Sequence, residues 1–158
     1  MKRTYVCDVK ETTEESVLVK GWVHKIHDLG KITFLYLRDK TGIIQLVVDK
    51  DEIKDLRLEM SVEAIGDKVE NEKAPGGVEL ISKGITVIGK AFYDKLPFEV
   101  NSYKQKASLE KQLDYRSLSL RSPKTRAVFK IQEEIGDGFR TYLKDLRFSE
   151  IHTPKIIS

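Results

Sequence analysis

Residues 21–48 read GWVHKIHDLGKITFLYLRDKTGIIQLVV, and the fold turns on this stretch. From Ile32 to Arg38 the side chains alternate: Thr33, Leu35 and Leu37 share one face, while Ile32, Phe34, Tyr36 and Arg38 share the other. After a turn at Asp39-Lys40-Thr41-Gly42, the next strand puts Ile44, Leu46 and Val48 on one face and Ile43, Gln45 and Val47 on its opposite. A four-residue loop pairs Arg38 with Ile43 and Tyr36 with Gln45, which leaves Phe34 diagonal to Gln45 on the same side. The wholly aliphatic side is the expected interior, so an aromatic ring and a carboxamide stand together on the exposed sheet. A ring can stack on an unpaired base while the amide donates to and accepts from its edge. On the residues alone, Phe34 as plain surface cover and Gln45 as a solvated strand residue remain the alternative.

Working outward, Ser16 to His27 reads as a first strand, with Val17, Val19 and Val23 turned inward and Gly21 allowing the sharp coil of a small barrel. Ile53, Leu56 and Met60 have helical spacing, which predicts a short helix over 51–59 capping one barrel end. Two more extended stretches follow, Val62 to Val69 and Val78 to Ile88, joined by Asn71-Glu72-Lys73-Ala74-Pro75-Gly76-Gly77. The expected fold is mainly β, a five-stranded barrel with the order of an OB-fold, whose exposed sheet commonly binds oligonucleotides. From Lys90 to Lys111 the periodicity fades into a connector. Ser122-Pro123 then opens a helix as N-cap and first residue, with Val128, Ile131, Ile135, Phe139, Tyr142 and Leu146 along one face. Gly136 and Gly138 each cost that helix about 1 kcal/mol relative to alanine, which marks a weak middle or a close contact. A strand at Glu150-Ile151-His152-Thr153, ended by Pro154, completes a helix-plus-strand tail. Such a tail cannot bury its apolar faces alone and calls for a partner, either more of a domain or a second copy.

The bulk numbers narrow the classes. With 40% hydrophobic and 34% charged residues the chain has a soluble globular composition, and no apolar run approaches membrane-spanning length. The start, MKRTYVCDVKETTEE, lacks the apolar stretch of a signal peptide, and Cys7 is the only cysteine; both fit a reducing cytoplasm. A net charge of +3 proves no nucleic-acid partner and is compatible with one that meets clustered basic groups. Lys20, Lys25, His27, Lys31 and Arg38 lie near the exposed strand face, where each is also explained as solubilising charge. His24 and His27 are poor candidates for a metal, because strand residues three apart point to opposite faces.

The same residues resemble the class II aminoacyl-tRNA synthetases of the aspartyl, asparaginyl and lysyl subgroup. Residues 21–48 are similar to that subgroup's anticodon-binding OB-fold, Leu113-Asp114-Tyr115-Arg116-Ser117-Leu118 to the signature opening its catalytic domain, and Phe148-Ser149-Glu150-Ile151-His152-Thr153-Pro154 to its motif 1. The ending from Glu150 is most similar to archaeal-type aspartyl enzymes. The Ala74–Gly77 loop and the Leu-Asp-Tyr-Arg segment are at least as similar to asparaginyl ones.

The resemblance implies that Phe34 stacks on, and Gln45 hydrogen-bonds, the central uridine of the anticodon, which aspartate, asparagine and lysine anticodons share. Val47 falls where some bacterial members carry a second phenylalanine. His24, Lys25 and His27 replace an arginine-rich bacterial segment, and His24 and Pro75 fall near the anticodon's other bases. Phe148, Ile151 and Pro154 of motif 1 are implied at a homodimer interface. The implied division is an OB-fold over 1–90, a hinge over 91–120 and the start of a catalytic domain over 121–158. Motifs 2 and 3 do not appear, and Gly136-Asp137-Gly138-Phe139-Arg140 resembles motif 3 only superficially because it lies in a helix ahead of motif 1. The expectation is therefore tRNA anticodon-loop recognition by a fragment of an aspartate–tRNA ligase, of the kind that in nondiscriminating members also charges asparagine tRNA, with an asparaginyl enzyme or a freestanding single-strand-binding or assembly module as alternatives. No catalytic residue, metal or cofactor is expected within it, whereas ATP and Mg2+ belong to the parent reaction.

Overall fold

Five antiparallel-rich strands close on one another because each carries an apolar row that only a curved neighbour can cover. The computed structural model describes residues 1–158 apart from 31, 92–94, 103–105 and 156–158. It divides into two compact units, Met1–Leu96 and Pro97–Ser158.

In the first unit, β1 (Ser16–Asp28), β2 (Thr33–Arg38), β3 (Ile43–Val48), β4 (Ser61–Glu70) and β5 (Val78–Gly89) form a closed barrel in the order β1-β2-β3-β5-β4. The β2–β3 register is the one the alternation predicts, with Arg38 opposite Ile43 and Tyr36 opposite Gln45. Val17, Val19, Val23, Leu35, Leu37, Ile44, Leu46, Val62 and Leu80 fill the interior. Gly21 is required by a close approach: a Cβ there would stand 2.5 Å from the carbonyl oxygen of Arg38.

The expected helix over 51–59 is reduced to a single 3-10 turn at Lys50–Ile53. Its apolar residues still reach the core, where Ile53, Leu56 and Met60 are buried. Two bonds explain the missing turns. The Glu59 N–H donates to the Val23 carbonyl at 2.8 Å and the Met60 carbonyl accepts from the Val23 N–H at 2.9 Å, so the chain is drawn onto β1, with Glu59 at φ 65°. The N-terminal segment packs as well: Val9 is fully buried, and the Val6 N–H donates to Asp39 Oδ2 at 3.0 Å.

The second unit holds α1 (Leu109–Asp114), α2 (Arg116–Ser119) and α3 (Pro123–Asp145). The Ser108 hydroxyl caps α1 by accepting from the Lys111 N–H at 3.3 Å. Ser122 holds the N-cap position of α3 with Pro123 following, yet its side chain makes no capping bond. Helix α3 runs unbroken through both glycines, and a Cβ at Gly138 would meet nothing within 4 Å. It ends in a left-handed cap, Arg147 at φ 65°, with the Phe148 N–H donating to the Leu143 carbonyl at 3.0 Å. The strand expected at Glu150–Thr153 does not form. A strand exists only as part of a ladder, and no described segment lies alongside to share one.

Candidate nucleic-acid interface

Residues facing each other across a sheet share a side, so the register builds the outer surface row by row. One row runs His27–Phe34–Val47–Ile81 and the next runs Lys25–Tyr36–Gln45–Glu79, across β1, β2, β3 and β5. Phe34 and Gln45 are thus diagonal neighbours on the outer face. Phe34 is partly buried between the strands, Lys25 and His27 are exposed, and Val47 and Ile81 continue the apolar row beside Phe34.

Lys25 and His27 reach this face through a bulge. Val23 opposes Leu37 and Lys25 opposes Tyr36, so His24 is the extra residue of β1. Without it, Lys25 and His27 would point into the barrel and Ile26 would not. His24 and His27 therefore do not lie on opposite faces, contrary to what regular alternation predicts. Among the described residues no group of three or more His, Cys, Asp or Glu gathers to hold a metal ion.

Gln45 is only 7% exposed, and its Nε2 donates to Glu79 Oε2 at 2.7 Å. That bond fixes the amide, because a carboxylate can only accept and so must face the nitrogen. Among the described residues no other group bonds the second N–H or the carbonyl oxygen of Gln45. The sequence reading missed Glu79, which lies on a distant strand and meets Gln45 only through the parallel β3–β5 pairing.

Arg38 is not surface charge. It is 4% exposed, and its Nη2 reaches both carboxylate oxygens of Glu59 at 2.8 Å, while Nη1 stands 3.1 Å from His24 Nδ1. A guanidinium only donates, so Nδ1 accepts and the His24 ring proton sits on Nε2. The buried pair ties the bulge to the β3–β4 connection and places His24; such a pair contributes placement more than net stability. Lys20 pairs with Glu63 at 2.6 Å, and Lys31 lies outside the described residues. Pro75 begins a 3-10 turn, Pro75–Gly77, in the β4–β5 connection, which packs beside β3. Phe148, Ile151 and Pro154 belong to the second unit, all exposed, the first two at 64% and 78%.

A closed barrel with an aromatic ring and an oriented amide on its outer sheet is the architecture of an OB-fold that binds nucleic acid. Residues 17–88 match the family described as OB-fold nucleic acid binding domain, and residues 108–158 match tRNA synthetases class II (D, K and N). The chain belongs to the class II tRNA synthetases of this D, K and N group, as an anticodon-binding OB domain followed by the start of the catalytic domain.

Among curated relatives, the aspartate–tRNA(Asp/Asn) ligase of Archaeoglobus fulgidus is 38% identical over 99% of this chain and 38% of its own length. That of Thermus thermophilus is 37% identical over 98% of this chain and 36% of its own. Among solved structures, asparaginyl-tRNA synthetase from Pyrococcus horikoshii with asparaginyl-adenylate superposes with a TM-score of 0.84 at 33% identity, covering 98% of this chain and 37% of that one. The chain thus spans a little over a third of the length of these relatives.

Proposed function

We propose that the barrel binds the anticodon loop of a tRNA, as the recognition part of an aspartate–tRNA ligase whose full-length form charges tRNA with aspartate in the cytoplasm. The observation that carries this reading is the outward pair of Phe34 and Gln45, with the amide clamped by Glu79. A base turned out of the loop stacks on Phe34. Uracil then presents its N3–H to the Gln45 carbonyl and a ring carbonyl to the remaining N–H. Cytosine presents the reverse pattern, an acceptor at N3 beside a donating amino group. The amide cannot turn over to suit it, because turning would set its oxygen against the Glu79 carboxylate. Lys25 and His27 flank the site on β1, while His24 and the Pro75 turn are suited to meet neighbouring nucleotides.

The names of the relatives support a ligase acting on both aspartate and asparagine tRNAs, and the similarity to an asparaginyl enzyme keeps an amide substrate as the second reading. ATP and Mg2+ would be the cofactors of either full-length reaction. The exposed apolar side chains of α3 with Phe148, Ile151 and Pro154 would form a homodimer interface in the full-length ligase; a hollow of about 590 Å3 lies among Phe139, Leu143 and Phe148. Competition tests the reading. An anticodon stem-loop with a central uridine should displace a labelled parent loop far better than one with any other central base. Equal competition by any pyrimidine-rich strand would leave a general single-strand binder instead.

A further inference from the structure

Strand β2 carries a second aromatic side chain on its outer face. Tyr36 is two residues from Phe34, about 7 Å along the strand, and stands directly opposite Gln45 on one side and Lys25 on the other. Its ring is partly exposed, with the Lys25 ammonium 5.9 Å from the ring centroid. A tyrosine used as core usually anchors its hydroxyl to a protein group; the Tyr36 hydroxyl has no such bond among the described residues. The ring is therefore partly exposed, its hydroxyl has no protein partner among the described residues, and an exposed cation accompanies it.

We infer that Tyr36 and Lys25 form a second nucleotide subsite, in which Tyr36 stacks the base next to the one held by Phe34 and Gln45 and Lys25 neutralises the phosphate joining the two. This rests on the anticodon reading above and extends it from one base to two. A nucleotide unstacked onto Phe34 drags its neighbour across the same sheet, and an open ring one side-chain repeat away offers that neighbour a new stacking surface. Sheets that bind single-stranded RNA take successive bases on paired aromatic residues in this manner. Every base has a π-face, so the subsite adds affinity without reading identity.

The test titrates the 158-residue chain with anticodon stem-loops at one fixed salt concentration: the intact loop, a loop lacking the central base, and loops lacking each base beside it. Tyr36→Leu keeps apolar cover on the sheet and removes the π-face. It should weaken the intact loop by about 5- to 150-fold, the worth of one stacked base, and have little effect on one loop that lacks a flanking base. Tyr36→Phe should bind as the parent does. Lys25→Gln should make the slope of log affinity against log salt shallower by about 0.7. Equal weakening of every loop by Tyr36→Leu, abasic ones included, overturns the subsite, as does an unchanged salt slope for the role of Lys25. If Phe34→Ala weakens the intact loop and Tyr36→Leu does not, the second subsite falls and the first stands. If neither changes affinity and the central base is indifferent, the anticodon reading falls and the subsite with it.

Discussion

If the barrel reads a central uridine as proposed, replacing Glu79 by Gln should make the site accept cytosine as well. In the parent, Glu79 Oε2 accepts from Gln45 Nε2 at 2.7 Å, and both side chains are nearly excluded from water. Cytosine at the site would replace two hydrogen bonds by two like-facing pairs, donor against donor and acceptor against acceptor. Each polar group left unsatisfied in a buried setting costs about 1–3 kcal/mol. Discounting the larger values because the base edge is partly hydrated gives about 2–4 kcal/mol of discrimination, or about 30- to 700-fold. A carboxamide at position 79 can donate as well as accept, so the Gln45 amide becomes free to turn. Discrimination in Glu79→Gln should then fall below about tenfold, chiefly because cytosine binds better, while uridine loses little. Fluorescence titration of stem-loops differing only in the central base measures this, with a melting curve to show that the variant is folded. Retention of the parental ratio, or its loss only through weaker uridine binding, would show that Glu79 does not set the orientation of the Gln45 amide.

Further outcomes follow from the rest of the molecule. Gly21→Ala should destabilise the barrel by about 1–3 kcal/mol, read by denaturant midpoint, because its methyl would meet the Arg38 carbonyl at 2.5 Å. Asp39 is affected first by burial, which raises its pKa, but hydrogen bonds from the Thr41 hydroxyl and from the N–H groups of Val6, Thr41 and Gly42 outweigh it and hold the carboxyl below its usual 3.8. A depressed carboxylate contributes stability above its unfolded pKa and loses it as pH falls through the folded value. Unfolding between pH 5 and about 2 should therefore show a steeper acid limb in the parent than in Asp39→Asn. Gly138→Ala should stabilise α3 by about 1 kcal/mol, seen by circular dichroism and melting, since the added methyl meets nothing within 4 Å.

The β2–β3 hairpin was legible because its information is local. A strict period of two and a four-residue turn leave one register that keeps Leu35, Leu37, Ile44 and Leu46 inside, and that register sets Tyr36 opposite Gln45. The bulge at His24 was also written in the chain, as a change of phase between inward Val23 and inward Ile26, three residues apart; reading β1 as regular hid it. Glu79 and the Arg38–Glu59 pair were not legible. Their partners are far along the chain, and an isolated acid or arginine carries no mark of burial when its counterion arrives through a parallel pairing or an irregular connection. The expected helix at 51–59 failed for the same reason, since backbone bonds to β1 outweighed local spacing. In the second unit, helical periodicity gave α3 correctly, whereas Glu150–Thr153 has the residues of a strand and no described neighbour with which to form a ladder.

Whether Phe34 holds an unstacked central uridine is read from the coupling between ring and base. Parent and Phe34→Ala are each titrated, at one salt concentration, with a stem-loop carrying central uridine and with the same loop lacking that base. Removing the ring should cost about 1–3 kcal/mol when the base is present and close to nothing when it is absent. Equal affinity of parent and variant for the intact loop, or an equal loss for both loops, would contradict it.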